Sequence, residues 1–221
     1  MQTLGKIIII YNDGVGRAGR TTEDQGLQAM RDGRVRNEKP NVRRKYLSPD
    51  EARRVIEAAG KIGRQPDRDR LLLTMMFRHG LRLSEAIDLR WSDFDLESRH
   101  RTLFVRRLKG SKNAVHTLEP DTVRMLKRAK AQSDGNYLFR SERGGPLSSQ
   151  IVQVIVARAG EVAGLPFRVH PHQLRHACGF ALAEEGTDTR LIQDYLGHRS
   201  ISNTVIYTET SARRLAGVRV R

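Results

Sequence analysis

The chain has one cysteine, Cys178, in 221 residues, so no internal disulfide can form and an intracellular, reducing location fits. Long hydrophobic runs are absent. The longest, Ile7–Ile10, is far too short to span a bilayer, and four isoleucines followed by Tyr11-Asn12-Asp13-Gly14 do not read as a signal peptide. Tandem repeats, which would indicate a solenoid, are also missing. Acidic residues are scarce beside basic ones: 25 Asp and Glu face 40 Lys and Arg, a formal net charge of +15. Such an excess favours a polyanionic partner, above all nucleic acid, although a generally basic protein of ribosomal type would share it.

Residues 1–45 differ from the rest. Few apolar residues, then a basic run with Arg34, Arg36, Lys39, Arg43, Arg44 and Lys45 around Pro40, predict a mobile basic arm that contacts DNA phosphates. A folded domain is expected over 46–221. Ser48-Pro49-Asp50-Glu51 has the pattern of a capping box, with a helix behind it ending at Gly60. Further helices are expected from Asp67 to His79, from Leu83, from Asp121 to Gln132, from His172 to Glu185 and from Asp188 to Leu196. Thr102–Leu108 alternates in part, with Leu103 and Val105 on one face. Val115–Leu118 returns, and Lys109-Gly110-Ser111-Lys112 forms the hairpin turn between them. Tyr137-Leu138-Phe139 is a short strand candidate. Ile151–Val156 suits a strand by its β-branched content, yet Ala157, Ala159, Ala163 and Gly164 favour a helix from Ser149. The fold class is α+β, mostly helical, with a small antiparallel β hairpin or sheet on one side.

Several groups could carry chemistry. Arg82 and Glu85 lie within one helical turn, where a carboxylate can orient a guanidinium, although a plain surface ion pair has the same spacing. His170-Pro171-His172-Gln173-Leu174-Arg175-His176 opens a helix, and His172 and Arg175 share a face there, a natural place for phosphate oxygens. Zinc on His170, His172 and His176 is the competing reading, with Arg175 in their midst opposing a cation. His198 follows in Leu196-Gly197-His198-Arg199-Ser200. Tyr207 stands beyond it in a short polar-flanked segment, Thr204-Val205-Ile206-Tyr207-Thr208-Glu209, whereas Tyr195 sits beside Ile192 on an apolar helix face.

Gly80-Leu81-Arg82-Leu83-Ser84-Glu85, Lys109-Gly110-Ser111-Lys112, His172-Gln173-Leu174-Arg175-His176, Leu196-Gly197-His198 and Tyr207 together resemble, in order and spacing, the tyrosine recombinases of the phage-integrase family. The stretch from His170 to Tyr207 is especially similar to the short bacterial recombinases that invert the fimbrial phase-variation switch. The resemblance implies a site-specific recombinase that cleaves and rejoins DNA through a 3′-phosphotyrosyl intermediate during integration, excision or inversion. Tyr207 is then the nucleophile, Arg82 and Arg175 meet the phosphate charge, and Lys109 protonates the leaving 5′-oxygen, with Lys112 as its competitor. His172 accepts the tyrosine proton, His198 donates to the phosphate, and Glu85 positions Arg82. The two arginines and a lysine supply the charge that magnesium brings elsewhere, so neither metal nor other cofactor is expected. Expected partners are double-stranded DNA and further copies of the chain, as a tetramer on paired sites, with no membrane contact. The expected location is the bacterial cytoplasm, at the nucleoid. A DNA relaxer of topoisomerase type and a catalytically silent DNA-binding regulator with the same fold are the alternatives. Residues 1–45 are too short for the helical core-binding domain that most of the family carries before the catalytic domain.

Overall fold

A computed structural model describes residues 46–107 and 112–209. The basic arm at 1–45, with Arg34, Arg36, Lys39, Arg43 and Arg44, lies outside the described residues, as do Lys109 and its neighbours in the turn. Helix α1, Pro49–Ala59, starts as its capping box requires: the Ser48 hydroxyl accepts from Glu51 N at 3.1 Å, and the Glu51 carboxylate accepts from Ser48 N at 2.9 Å. Helix α2, Pro66–Arg78, buries every residue from Leu71 to Phe77 and packs against α1 and against the later helices Pro120–Ala131 and Pro171–Glu184. A helix apolar on all sides belongs at the centre of a domain. Helix α3, Leu83–Ile87, is short. A 3-10 turn at Trp91–Asp93 leads into strand β1, Phe94–Asp95.

The sheet is antiparallel, in the order β1-β2-β3, with β2 at Thr102–Val105 and β3 at Ala114–Thr117. Leu103 pairs with His116 and Val105 with Ala114; Leu103 and Val105 face the core while Phe104 and Val115 face out. This is the alternation the sequence predicts. The short third strand, β1, was not anticipated. After the sheet come α4 (Pro120–Ala131), α5 (Ser149–Val162), α6 (Pro171–Glu184), α7 (Thr189–Leu196) and α8 (Ser202–Glu209). The segment 149–162 is thus helical, and Gly160 lets it approach the chain at Val169, whose side chain would lie 2.3 Å from a Cβ there. Tyr137-Leu138-Phe139 does not form the expected strand. Leu138 and Phe139 are buried, but only the isolated bridge Arg90–Tyr137 has ladder geometry. Tyr207 corrects the reading too: it lies on helix α8 and is 1% exposed, among the largest fully buried side chains. Among the described residues no helix is long and apolar enough to cross a membrane.

Candidate active site

Helix α6 supplies one wall of the site. Pro171 at its first position pre-sets the backbone, and Gln173 closes the start by accepting from His170 N at 2.8 Å. His172, Arg175, His176 and Gly179 then follow at i, i+3, i+4 and i+7, on one face. At its far end that face is bare, because Gly179 has no side chain. The Tyr207 ring fills the space, and its Cε2 would lie 2.6 Å from a Cβ on Gly179. Phe180 meets the same ring edge-on at 5.1 Å and His198 lies against it at 6.1 Å. The Tyr207 hydroxyl is hydrogen-bonded to Nδ1 of His176 at 2.9 Å. A pocket of about 270 Å³ opens here, lined by Arg82, His172, Arg175, His176, His198, Ser202, Asn203, Ile206 and Tyr207.

The guanidinium groups are fixed from below. Helix α7 ends at Gly197, whose left-handed backbone (φ +66) turns the chain toward His198. The last carbonyls of that helix are each taken by a different arginine. Arg107 donates to Tyr195 O, Arg175 to Leu196 O at 2.6 Å and Arg82 to Gly197 O at 3.0 Å. Helix C-terminal carbonyls carry partial negative charge, so cations belong there. Arg175 also donates to Gly80 O, two residues before Arg82 in the chain. Glu85 joins two of the three: its carboxylate accepts from Arg82 NH1 and from Arg107 NH1, both at 2.7 Å, and from Arg82 N at 2.9 Å. Arg82 and Glu85 are therefore not a surface pair.

This burial sets the ionisation states. The arginine charges beside Glu85, Arg107 first, outweigh desolvation and hold its carboxyl below the usual range. Desolvation, then the charges of Arg82 and Arg107, lowers Arg175 to about 10, still fully charged near neutrality. Burial pushes the Tyr207 phenol up to about 12 although Arg175 opposes it. Burial and the neighbouring arginines, Arg175 first, bring His198 down to about 4. His172 and His176 are lowered by burial first as well, then by nearby positive charge. All three imidazoles are neutral at pH 7. His198 Nδ1 is bonded to the buried Thr204 hydroxyl at 2.9 Å.

The structure thus brings Arg82, Glu85, His172, Arg175, His198 and Tyr207 together. Lys112 is exposed and does not line the pocket. His170, His172 and His176 do not form a three-ligand metal cluster among the described residues. His176, which the sequence offered only as a zinc ligand, holds the tyrosine hydroxyl; its spacing to His172 and Gly179 was the available signal. Arg107 was overlooked, yet Leu103, Val105 and Arg107 continue the two-residue period of the buried strand face.

A family model described as "Phage integrase family" matches residues 45–214. The chain belongs to this family. Among its relatives, the type 1 fimbriae regulatory protein FimB of Escherichia coli K12 is 40% identical over 190 residues, covering 83% of this chain and 94% of FimB. The tyrosine recombinase XerC of Brucella melitensis is 36% identical over 202 residues, covering 87% of this chain and 62% of that protein. The crystal structure of XerA recombinase superposes with a TM-score of 0.66 at 32% identity, over 77% of this chain and 62% of that one. XerH recombinase bound to its difH substrate before cleavage gives 0.68 at 28% identity, over 78% and 53%. The mostly helical domain with a three-stranded sheet is the fold that these phage integrase family members share with it.

Proposed function

We propose that the chain is a site-specific DNA recombinase of the tyrosine type, cleaving and rejoining strands through a 3′-phosphotyrosyl bond on Tyr207. The observation that carries this reading is the meeting of Tyr207, His172, His176, His198, Arg82 and Arg175 in one pocket, contributed by segments far apart in sequence. The Tyr207 oxygen attacks the scissile phosphorus, the phosphorus–5′-oxygen bond breaks, and the strand stays attached to the enzyme. The phosphodiester energy is retained, so a 5′-hydroxyl from a partner strand can reverse the step without ATP. Charge on the non-bridging oxygens grows during attack. Arg82 and Arg175, already aligned by carbonyls and Glu85, meet it at no cost in reorganisation. In the tautomer whose Nδ1 accepts from the Thr204 hydroxyl, the His198 proton sits on Nε2, ready to donate to phosphate.

The phenol is protonated at pH 7, so the attack needs a proton acceptor. The imidazoles of His172 and His176, a turn apart on α6, are neutral and able to accept, and His176 already holds the hydroxyl. Lys109 is proposed as the donor to the leaving 5′-oxygen, Lys112 and the arm residues as DNA contacts. Recombination would take place in a tetramer on paired duplex sites, in the cytoplasm. The DNA-bound recombinases among the solved relatives support a duplex partner.

The test is incubation with a nicked suicide duplex carrying candidate inverted repeats, read on a denaturing gel. The expected result is a covalent adduct that Tyr207→Phe abolishes while DNA binding persists. Adduct surviving in that variant would place the nucleophile elsewhere.

A further inference from the structure

Arg107 is the one arginine at this centre that does not line the pocket. Its side chain is 0% exposed and that of its partner Glu85 is 2% exposed, a fully buried ion pair at 2.7 Å. A buried arginine is costly unless its donors are met. Here NH1 goes to Glu85 and NH2 to Tyr195 O, while Nε has no partner among the described residues, so the position is kept at a cost. Its stem lies against Gly197, where a Cβ would come within 2.9 Å of Nε. Arg107 therefore touches the carboxylate that aims Arg82, the helix end that presents His198, and the glycine that turns the chain between them. It also stands two residues before Lys109 and two beyond the end of β2.

The charge balance points the same way. Arg82, Arg107 and Arg175 against Glu85 leave a net of two positive charges around the phosphate position. A phosphodiester carries one negative charge and the phosphorane approaches two, so the excess is matched to the transition state. Without Arg107, Glu85 would face Arg82 alone and neutralise it more completely.

Resting on the cleavage reading above, we propose that Arg107 is a positioning residue for strand cleavage, holding Glu85, and through it Arg82, together with the turn before His198 in the geometry that meets non-bridging phosphate charge.

The test compares single-turnover cleavage of an ordinary scissile phosphate and of a methylphosphonate, which lacks one anionic oxygen, at saturating DNA. Arg107→Met should slow cleavage of the phosphodiester about 100-fold, the loss expected when Arg82, which it holds through Glu85, no longer meets the transition-state charge. DNA affinity should stay the same. On the methylphosphonate, Arg107→Met and the unmodified protein should react at matching rates, because there is less charge to meet. A variant damaged only in packing would be slowed equally on both substrates, and that result would overturn the proposal. So would an undiminished rate on the phosphodiester. Should Arg107→Met not melt cooperatively, Arg107→Lys keeps the charge and one donor to Glu85 and carries the same comparison, with a smaller loss expected on the phosphodiester alone. No adduct from the unmodified protein, on DNA that it binds, would refute the cleavage reading itself, before any variant is made.

Discussion

Tyr207 is asked to be both a core residue and a nucleophile, and its contacts show how the two are reconciled. The ring is packed against Gly179 and Phe180 while the hydroxyl is held by His176. Burial keeps the phenol protonated, its pKa near 12. If His176 takes the proton, cleavage by the unmodified protein should be nearly independent of pH above the depressed range where His176 becomes neutral. His176→Gln, which can hold the hydroxyl but not accept its proton, should be slow at pH 7 and gain up to about tenfold per pH unit as solvent ionises the phenol. A pH–rate profile checks this; that slope in His172→Gln instead would give the role to His172. At this scale the sequence was legible where partners are neighbours. Arg82 with Glu85 and His172 with Arg175 are each one turn apart. It was silent where partners are distant: His176 and Tyr207 are 31 residues apart, Arg107 and Tyr195 are 88. Tyr207 stood apart from a packed aromatic because its flanks are polar, yet the ring is 1% exposed and the flanking Thr204, one turn before it, is buried as well.

Among the elements, the C-terminal turn of α7 is where separate parts of the chain converge. Gly197 cannot be replaced without two penalties: a left-handed backbone costs a Cβ residue about 1–2 kcal/mol, and the new atom would collide with Arg107. Gly197→Ala should lower the melting temperature and reduce cleavage beyond what the lost stability explains, measured well below the melt. The β2–β3 turn makes a different prediction. An alkoxide needs a proton to leave near pH 7, whereas a thiolate does not. Lys109→Ala should fail on ordinary DNA and recover when the 5′-bridging oxygen is sulfur, while Arg175→Ala stays impaired. Running Lys112→Ala in parallel decides between the two lysines. Local signals fixed most elements: the Ser48 box, Pro171 at the start of α6 and Gly197 at the end of α7 all mark ends where the chain alone dictates them. Tyr137-Leu138-Phe139 misled because an apolar triplet records burial, not pairing. Helix α8 was missed because its buried positions, Thr204 and Tyr207, include too little apolar surface to show a helical period.

For the molecule as a whole, a ring stack ties the central helix to the sheet and to α7. His79 lies 5.5 Å from His116, which stacks on Tyr195 at 3.8 Å. Burial first, then His116 and nearby arginines, lowers His79 to about 3; burial and Arg107 lower His116 to about 4. Both are neutral in the folded protein and protonate near their ordinary value of about 6.5 once unfolded. Their contribution is complete above about pH 6.5 and is lost as pH falls from there toward the folded values of about 3 and 4, each histidine adding up to about 1.4 kcal/mol per pH unit. Melting temperature should therefore drop steeply between about pH 6.5 and 4, and His79→Leu should flatten the slope by about one proton. An unchanged slope would mean His79 is not held neutral.

The seat on Gly179 has a further consequence, for descent. Truncating a buried aromatic to alanine costs about 3–5 kcal/mol, a large part of a domain's stability, whereas exchanging hydroxyl for hydrogen at Tyr207 leaves the ring in its seat. A lineage that gave up cutting DNA while keeping this domain as a binding platform would feel no selection for the phenol oxygen but continuing selection for the ring. The mark of such a retired enzyme would be phenylalanine at this position, with Gly179 still opposite.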